Sequence, residues 1–289
     1  MTMAALPDAA TRALADPDAG ERITVEADGI PWSALVWGDP AGRPLLLIHG
    51  VTASASVWWR VGPALAATGR RVTAVDQAGH GKTGHWQGHH RFRDNATDIA
   101  AFIRAARLDR PDLQVIGHSW GATTAAALPT TGIRPATLVL LDPPVLSLER
   151  IAHEASDPGQ QVFDDLDEAI AAVRRSEPTW SDGDVRAKAE ALLTLDEAAA
   201  RSVLLDNGDW DGGLADLRDP AASGLAIWIV RGEPATGSYV SDDAARAFAE
   251  IVGEDHVLMI DGAPHSPQRT HPQETIAAFL RALGPTTDA

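Results

Sequence analysis

The chain has 289 residues with 40 acidic against 24 basic side chains, and its net charge of -16 argues against nucleic acid and anionic membrane as partners. It has no cysteine, which excludes disulfides, thiolate metal sites and a cysteine nucleophile, so covalent chemistry would fall to a serine or a carboxylate. The length suits one large α/β domain, with or without an inserted lid.

Residues 1–20 are rich in Ala, Asp and Pro, with neither a basic start nor an unbroken apolar run. They do not read as a signal peptide, and a loosely ordered beginning to a cytoplasmic protein is expected. Residues 22–27 alternate in the manner of a strand, Asp28-Gly29 makes a turn, and residues 32–37 return as the hairpin partner. The continuous apolar run 44–48 fits a strand buried on both faces and ends in His49-Gly50-Val51-Thr52. A helix over 57–68, a buried strand over 71–75 and a glycine-punctuated loop over 76–83 follow. Next comes an amphipathic helix over 92–108, opened by Asp94 and Asp98. The apolar run 113–116 breaks into Gly117-His118-Ser119-Trp120-Gly121 and continues as a small-residue helix over 122–128, with another strand at 136–141. This alternation predicts a mostly parallel sheet with helices on both faces.

The rhythm then lapses. Residues 143–224 hold no β-rich run, only helical segments over 165–175, 182–193 and 197–205, and read as a helical cap inserted into a core of residues 21–142 and 225–283. A strand over 225–230, a helix over 242–252, a last strand over 256–260 and a helix over 272–283 with Pro272 in its first turn complete the core. Residues 284–289 are expected to be loose, and no stretch reaches membrane-span length.

Ser119 falls on the turn between strand and helix, where a serine is strained but exposed. Gly117 and Gly121 let the two elements pack close, and the helix N-terminus adds positive potential suited to an oxyanion. A serine hydroxyl needs a nearby imidazole to take its proton. His265, just after the last strand on the loop 261–264, stands at the C-terminal edge of the parallel sheet, as Ser119 does. His271 precedes Pro272 at a helix start and is the weaker candidate, while His118, His153 and His256 read as structural.

Four motifs in order, His49-Gly50, Asp76-x-x-Gly79-His80-Gly81, Gly117-x-Ser119-x-Gly121 and Gly262-x-x-His265-Ser266, give the chain a resemblance to the α/β-hydrolase superfamily from about residue 22 to 283, weakest in the cap. The resemblance implies an eight-stranded sheet, a cap over the active site, and hydrolysis by a Ser-His-acid triad. In the superfamily the acid most often follows the penultimate strand as Gly-x-x-Asp, but here Ala235 stands at that place in Gly232-Glu233-Pro234-Ala235. Two carboxylates remain, Glu233 on that loop and Asp142 at the end of the strand after the nucleophile; the empty usual site favours Asp142. The backbone N–H of Trp120 and, by resemblance, that of Val51 are the expected oxyanion donors.

Trp58, Trp59, Trp180 and Trp210 are candidate pocket walls that would suit an apolar substrate. His80, His85, His89 and His90 gather near Asp94 and Asp98, but Gly81, Gly84 and Gly88 argue against the helix that a His85/His89 metal pair needs, so no metal and no cofactor is expected. The function expected is cleavage of a small or medium carboxylic ester or lactone. Carbon–carbon bond hydrolysis, cofactor-free perhydrolysis, and a non-catalytic receptor for a hydrophobic ligand are the alternatives. Epoxide hydrolase and dehalogenase chemistry is disfavoured, since those relatives carry aspartate where Ser119 stands.

Overall fold

In the computed structural model, residues 4–84, 90–154, 156 and 161–286 are described. Helix α1 (Asp8–Ala15) leads into strands β1 (Glu21–Ala27), β2 (Ile30–Trp37) and β3 (Arg43–Ile48), then helix α2 (Val61–Ala66) and strand β4 (Arg70–Val75). Helix α3 (Phe92–Ala105), strand β5 (Gln114–His118), helix α4 (Trp120–Ala127) and strand β6 (Thr137–Leu141) follow. After a helical stretch, described below, come β9 (Ala226–Arg231), α10 (Asp242–Val252), β10 (Val257–Met259), α11 (Pro267–Thr270) and α12 (Pro272–Leu283).

Eight strands form one sheet in the order β1-β2-β4-β3-β5-β6-β9-β10. Only the pairings of β2 are antiparallel, so β2 alone runs against the rest. The period-2 geometry of a strand divides its side chains between two cores. Leu46 and Ile48 of β3 join Ile99, Phe102 and Ile103 of α3, Ala122 of α4 and Phe248 of α10 on one face. Leu45 and Leu47 join Val61 and Leu65 of α2 and Ile276 and Phe279 of α12 on the other. The strand runs 44–48 and 138–141 are apolar without alternation because they are covered on both sides.

Between β6 and β9 lie the two-residue strands β7 (Val145–Leu146) and β8 (Trp210–Asp211) and the helices α5 (Leu148–Glu154), α6 (Leu166–Ser176), α7 (Asp182–Leu193), α8 (Glu197–Leu205) and α9 (Leu214–Ala222). Short polar side chains start three of them: Asp165, Ser181 and Asp196 accept hydrogen bonds from the first-turn N–H groups of Glu168, Asp184 and Ala198 at 2.9, 3.2 and 2.9 Å. A third apolar cluster joins Ile151, Val173, Val185, Leu192 and Val203 of this stretch to Val51 and Trp120 of the core. Among the described residues, no helix is long and apolar enough to cross a membrane.

Three expectations are corrected. The beginning of the chain is helical where looseness was expected, because α1 packs on α2 with Ala10 wholly buried and with Leu6 and Leu14 against the same core. The end is tethered as far as Thr286: Arg70 Nη2 donates to the Gly284 carbonyl at 2.5 Å and Thr286 Oγ1 to the Thr68 carbonyl at 2.9 Å. The inserted stretch is not free of strand, since β7 and β8 pair as an antiparallel ribbon too short to leave an alternating pattern.

Candidate active site

Ser119 sits between β5 and α4 at φ 55° and ψ -127°, outside the regions open to most side chains. Tight packing over-determines the turn. A side chain at Gly117 would collide with the Gly121 carbonyl, and one at Gly121 with the backbone of Ile48 and His49. The Ser119 N–H continues the ladder to the Leu141 carbonyl (3.0 Å), while the N–H groups of Ala122 and Thr123 cap the Ser119 carbonyl. The hydroxyl is left at the edge of the sheet, at the N-terminus of α4.

His265 Nε2 lies 2.9 Å from Ser119 Oγ, and His265 Nδ1 lies 2.6 Å from Asp142 Oδ2. Residues 146 positions apart therefore meet at one sheet edge, because β5, β6 and the last strand pair run the same way. Asp142 is fully buried at φ 44° directly after β6. Its Oδ1 accepts from the Gly232 N–H (2.9 Å) and Ser238 Oγ (2.5 Å), and its Oδ2 also accepts from the Tyr239 N–H (3.0 Å). The loop after β9, which holds Ala235 at the superfamily's usual acid position, thus donates its N–H and hydroxyl groups to Asp142. Glu233 of that loop turns elsewhere and accepts from the Gly262 N–H at 2.7 Å.

The His49-Gly50-Val51 loop passes against the serine: a Cβ on Gly50 would stand 3.5 Å from Ser119 Oγ. Among the described residues, neither the Val51 nor the Trp120 backbone N–H meets an acceptor. Three groups fix this loop. Asp76 Oδ1 accepts from the Ala55 N–H (2.7 Å), while its Oδ2 pairs with Arg22 (2.8 Å). His49 Nε2 accepts from the Gln77 N–H (3.0 Å), so the proton sits on Nδ1 and is directed at the Gly50 carbonyl (2.8 Å). His80 lies between the Ala78 and Val51 carbonyls at 2.9 and 2.5 Å. Burial, with His49 beside it, pushes its pKa down to about 3, so the neutral ring donates to one of them.

A cavity of about 700 Å³ opens over Ser119 and His265. Its apolar wall includes Trp180 and Trp210, with Val51, Leu146 and Ile151. Trp58 and Trp59 do not line it, which corrects their expected role. Trp58 is buried whole in the core beneath the sheet, and Trp59 Nε1 donates to Asp184 at 3.0 Å. The indole of Trp120 is also fully buried, packed on the rings of His49 and His80.

Several groups beside the base escaped the sequence reading. His118, read there as structural, has its Nε2 2.9 Å from the His265 carbonyl and its ring 5.0 Å from the His265 ring. Burial holds its pKa well below the ordinary value, so Nε2 donates from a neutral ring. The Tyr239 ring lies on the His265 ring at 4.0 Å. Buried Lys188 of α7 and Arg269 of α11 also line the cavity. His118 sits inside the Gly-x-Ser-x-Gly pattern and could have been weighed from that; Lys188, Tyr239 and Arg269 carry no spacing signal. His85 and His89 lie outside the described residues. Among the described residues, no three His, Asp or Glu side chains gather in a way that could hold a metal ion.

The family model for the alpha/beta hydrolase fold matches residues 43–236. The chain belongs to the α/β-hydrolase fold family. This hydrolase is 30% identical over 265 residues to lipase LipV of Mycobacterium tuberculosis, a match covering 86% of this chain and 96% of that protein. It is 32% identical over 144 residues to a non-heme chloroperoxidase of Streptomyces lividans, covering 48% of this chain and 50% of the relative. The crystal structure of E-2-(acetamidomethylene)succinate hydrolase superposes with a TM-score of 0.76 over 91% of this chain and 98% of its own, at 24% identity, a likeness of fold.

Proposed function

We propose that this α/β hydrolase cleaves small or medium carboxylic esters or lactones through an acyl-enzyme on Ser119. The observation that carries the reading is the unbroken line from Ser119 Oγ through His265 to Asp142, at 2.9 and 2.6 Å. His265 Nε2 takes the hydroxyl proton as Oγ attacks the carbonyl carbon, then gives it to the leaving alkoxide as the C–O bond breaks. Asp142 accepts from Nδ1–H, which fixes the tautomer with Nε2 as the base and stabilises the imidazolium formed in the first step. The N–H groups of Val51 and Trp120 hold the oxyanion, with the α4 N-terminus adding to the field. Water, deprotonated by the same nitrogen, releases the acid and restores Ser119.

Residues 143–224 act as the cap in this reading, and Trp180 and Trp210 make its apolar contact with the substrate. Small molecules are the substrate class, and the protein is cytoplasmic with no cofactor requirement. The Ser119→Ala variant should lose at least about 10³-fold in kcat/KM on p-nitrophenyl butyrate with an unchanged melting temperature; retained turnover would overturn the proposal. The similarity to a non-heme chloroperoxidase favours one second reading, transfer of the acyl group to hydrogen peroxide. Peracid formed from a carboxylic acid and hydrogen peroxide, measured beside ester hydrolysis, decides between them.

A further inference from the structure

We propose that Arg269 binds a carboxylate on the substrate, so that the preferred esters are those whose acyl or alcohol part ends in a free carboxylate. This deepens the serine-hydrolase reading above and rests on it. The carboxylate is a spectator: the scissile bond and the proton path are those already described.

Arg269 is only 5% exposed, and what it does expose lies on the wall of the cavity that holds Ser119 and His265. It stands four residues after the base, and its position is fixed from three directions. Nη1 donates to the Asp184 carbonyl at 2.8 Å, the guanidinium lies 4.2 Å above the Trp180 ring, and the Arg269 carbonyl accepts from Arg60 Nη2 at 2.5 Å. Nε and Nη2 meet no acceptor among the described residues. A planar, stacked guanidinium with two adjacent N–H groups unspent matches the two oxygens of a carboxylate.

Among the described residues, its charge is also without a direct partner. Asp184 would be the natural one, but its carboxylate is taken by Arg60 Nη2, by Trp59 Nε1 at 3.0 Å and by Ser181 Oγ at 2.6 Å, and only its backbone carbonyl faces Arg269. Among the described residues, no carboxylate lies at ion-pair distance from Arg269. A buried charge without a pair is costly, and a site built for a charged ligand is one reason for a protein to keep it. Burial lowers the Arg269 pKa to about 10, opposed by the fields of Asp184 and Glu177, so the group is cationic at neutral pH. Buried Lys188, which donates to the Thr52 carbonyl and hydroxyl at 2.9 and 2.5 Å, adds a second positive charge to the wall. Half-buried Glu177 opposes them, and exposed Glu197 and Arg201 add one charge of each sign to the lining. The Arg269 charge adds, after burial and the neighbouring His265, to what holds His118 in its neutral form.

The test compares mono-p-nitrophenyl suberate with the matching methyl p-nitrophenyl diester, following p-nitrophenolate release. The expected wild-type kcat/KM is at least tenfold higher for the acid, chiefly through KM. Arg269→Met should erase that preference and Arg269→Lys should keep part of it. Equal kcat/KM for the two esters, or a preference that survives Arg269→Met, overturns the role of Arg269 while leaving the serine-hydrolase reading intact. Absence of both turnover and fluorophosphonate labelling overturns both. Should Arg269→Met fail to fold, protection of the wild-type serine from fluorophosphonate decides: monomethyl suberate should protect at least tenfold better than dimethyl suberate, and equal protection contradicts the proposal.

Discussion

Asp142 is held at φ 44°, a backbone state that costs a non-glycine residue about 1 kcal/mol or more, and four donors converge on its buried carboxylate. Such a group is preorganised to accept one proton-bearing ring nitrogen. Asp142→Asn should therefore lower kcat by about 10⁴-fold on a p-nitrophenyl ester, since an amide can present the wrong group to Nδ1. Glu233→Gln keeps an acceptor for the Gly262 N–H and should change kcat by less than about threefold; a large loss there, with a small one at Asp142, would reverse the assignment. Both residues were legible in the sequence as strand-end carboxylates. Choosing between them by contact was not possible, because it depends on how residues 232–239 fold back over Asp142.

Titration at the same scale has a definite sign. His80 has a pKa pushed down to about 3 against 6.5 when unfolded, and burial lowers His49 and His118 as well. Below 6.5 the unfolded chain binds protons that the folded rings refuse, so this stability is present above pH 6.5 and is lost as pH falls toward 3. Asp98 acts oppositely: burial raises it from 3.8 to about 6, so its contribution is present below 3.8 and fades as pH rises through 6. Three histidines outweigh one carboxylate. The melting temperature should drop between pH 7 and 5, and His80→Asn should flatten that slope; an unchanged slope would refute the account of His80.

Elements differ in how plainly the sequence announces them. The buried strands and the helices over 182–193, 197–205, 242–252 and 272–283 follow from apolar periodicity and end where it does. The long helix expected over 57–68 is instead a tight 3-10 turn over Ala55–Trp58 followed, after a break at Trp59-Arg60, by the shorter α2. Helix α9 carries Pro220 inside it and starts after Gly213, two signals that argue against a helix and are overridden by packing around Leu217. Tryptophan is ambiguous at this scale, because Trp58 in the core and Trp210 on the cavity wall have the same apolar character in sequence. Helix α1 was hidden by its Ala and Asp content, yet its apolar face covers α2. Removing residues 1–16 should cost about 1–3 kcal/mol in chemical denaturation while esterase activity persists; no loss of stability would mean that α1 packs only loosely.

For the whole molecule, parallel strand order does the assembling. Ser119, Asp142 and His265 come after β5, β6 and β10, which run parallel in one sheet, so one sheet edge collects them, and the order of motifs along the chain was enough to anticipate this. The cavity chemistry was less legible, because Lys188 and Arg269 come from segments whose mutual packing sets their exposure, and no local pattern encodes it. Activation of Ser119 as a nucleophile by His265 is tested most directly by treating the protein with a fluorophosphonate and mapping the adduct by peptide mass spectrometry. The prediction is a single adduct on Ser119, formed by the native protein and lost in His265→Ala; an unlabelled protein, or an adduct that forms equally well without His265, would contradict it.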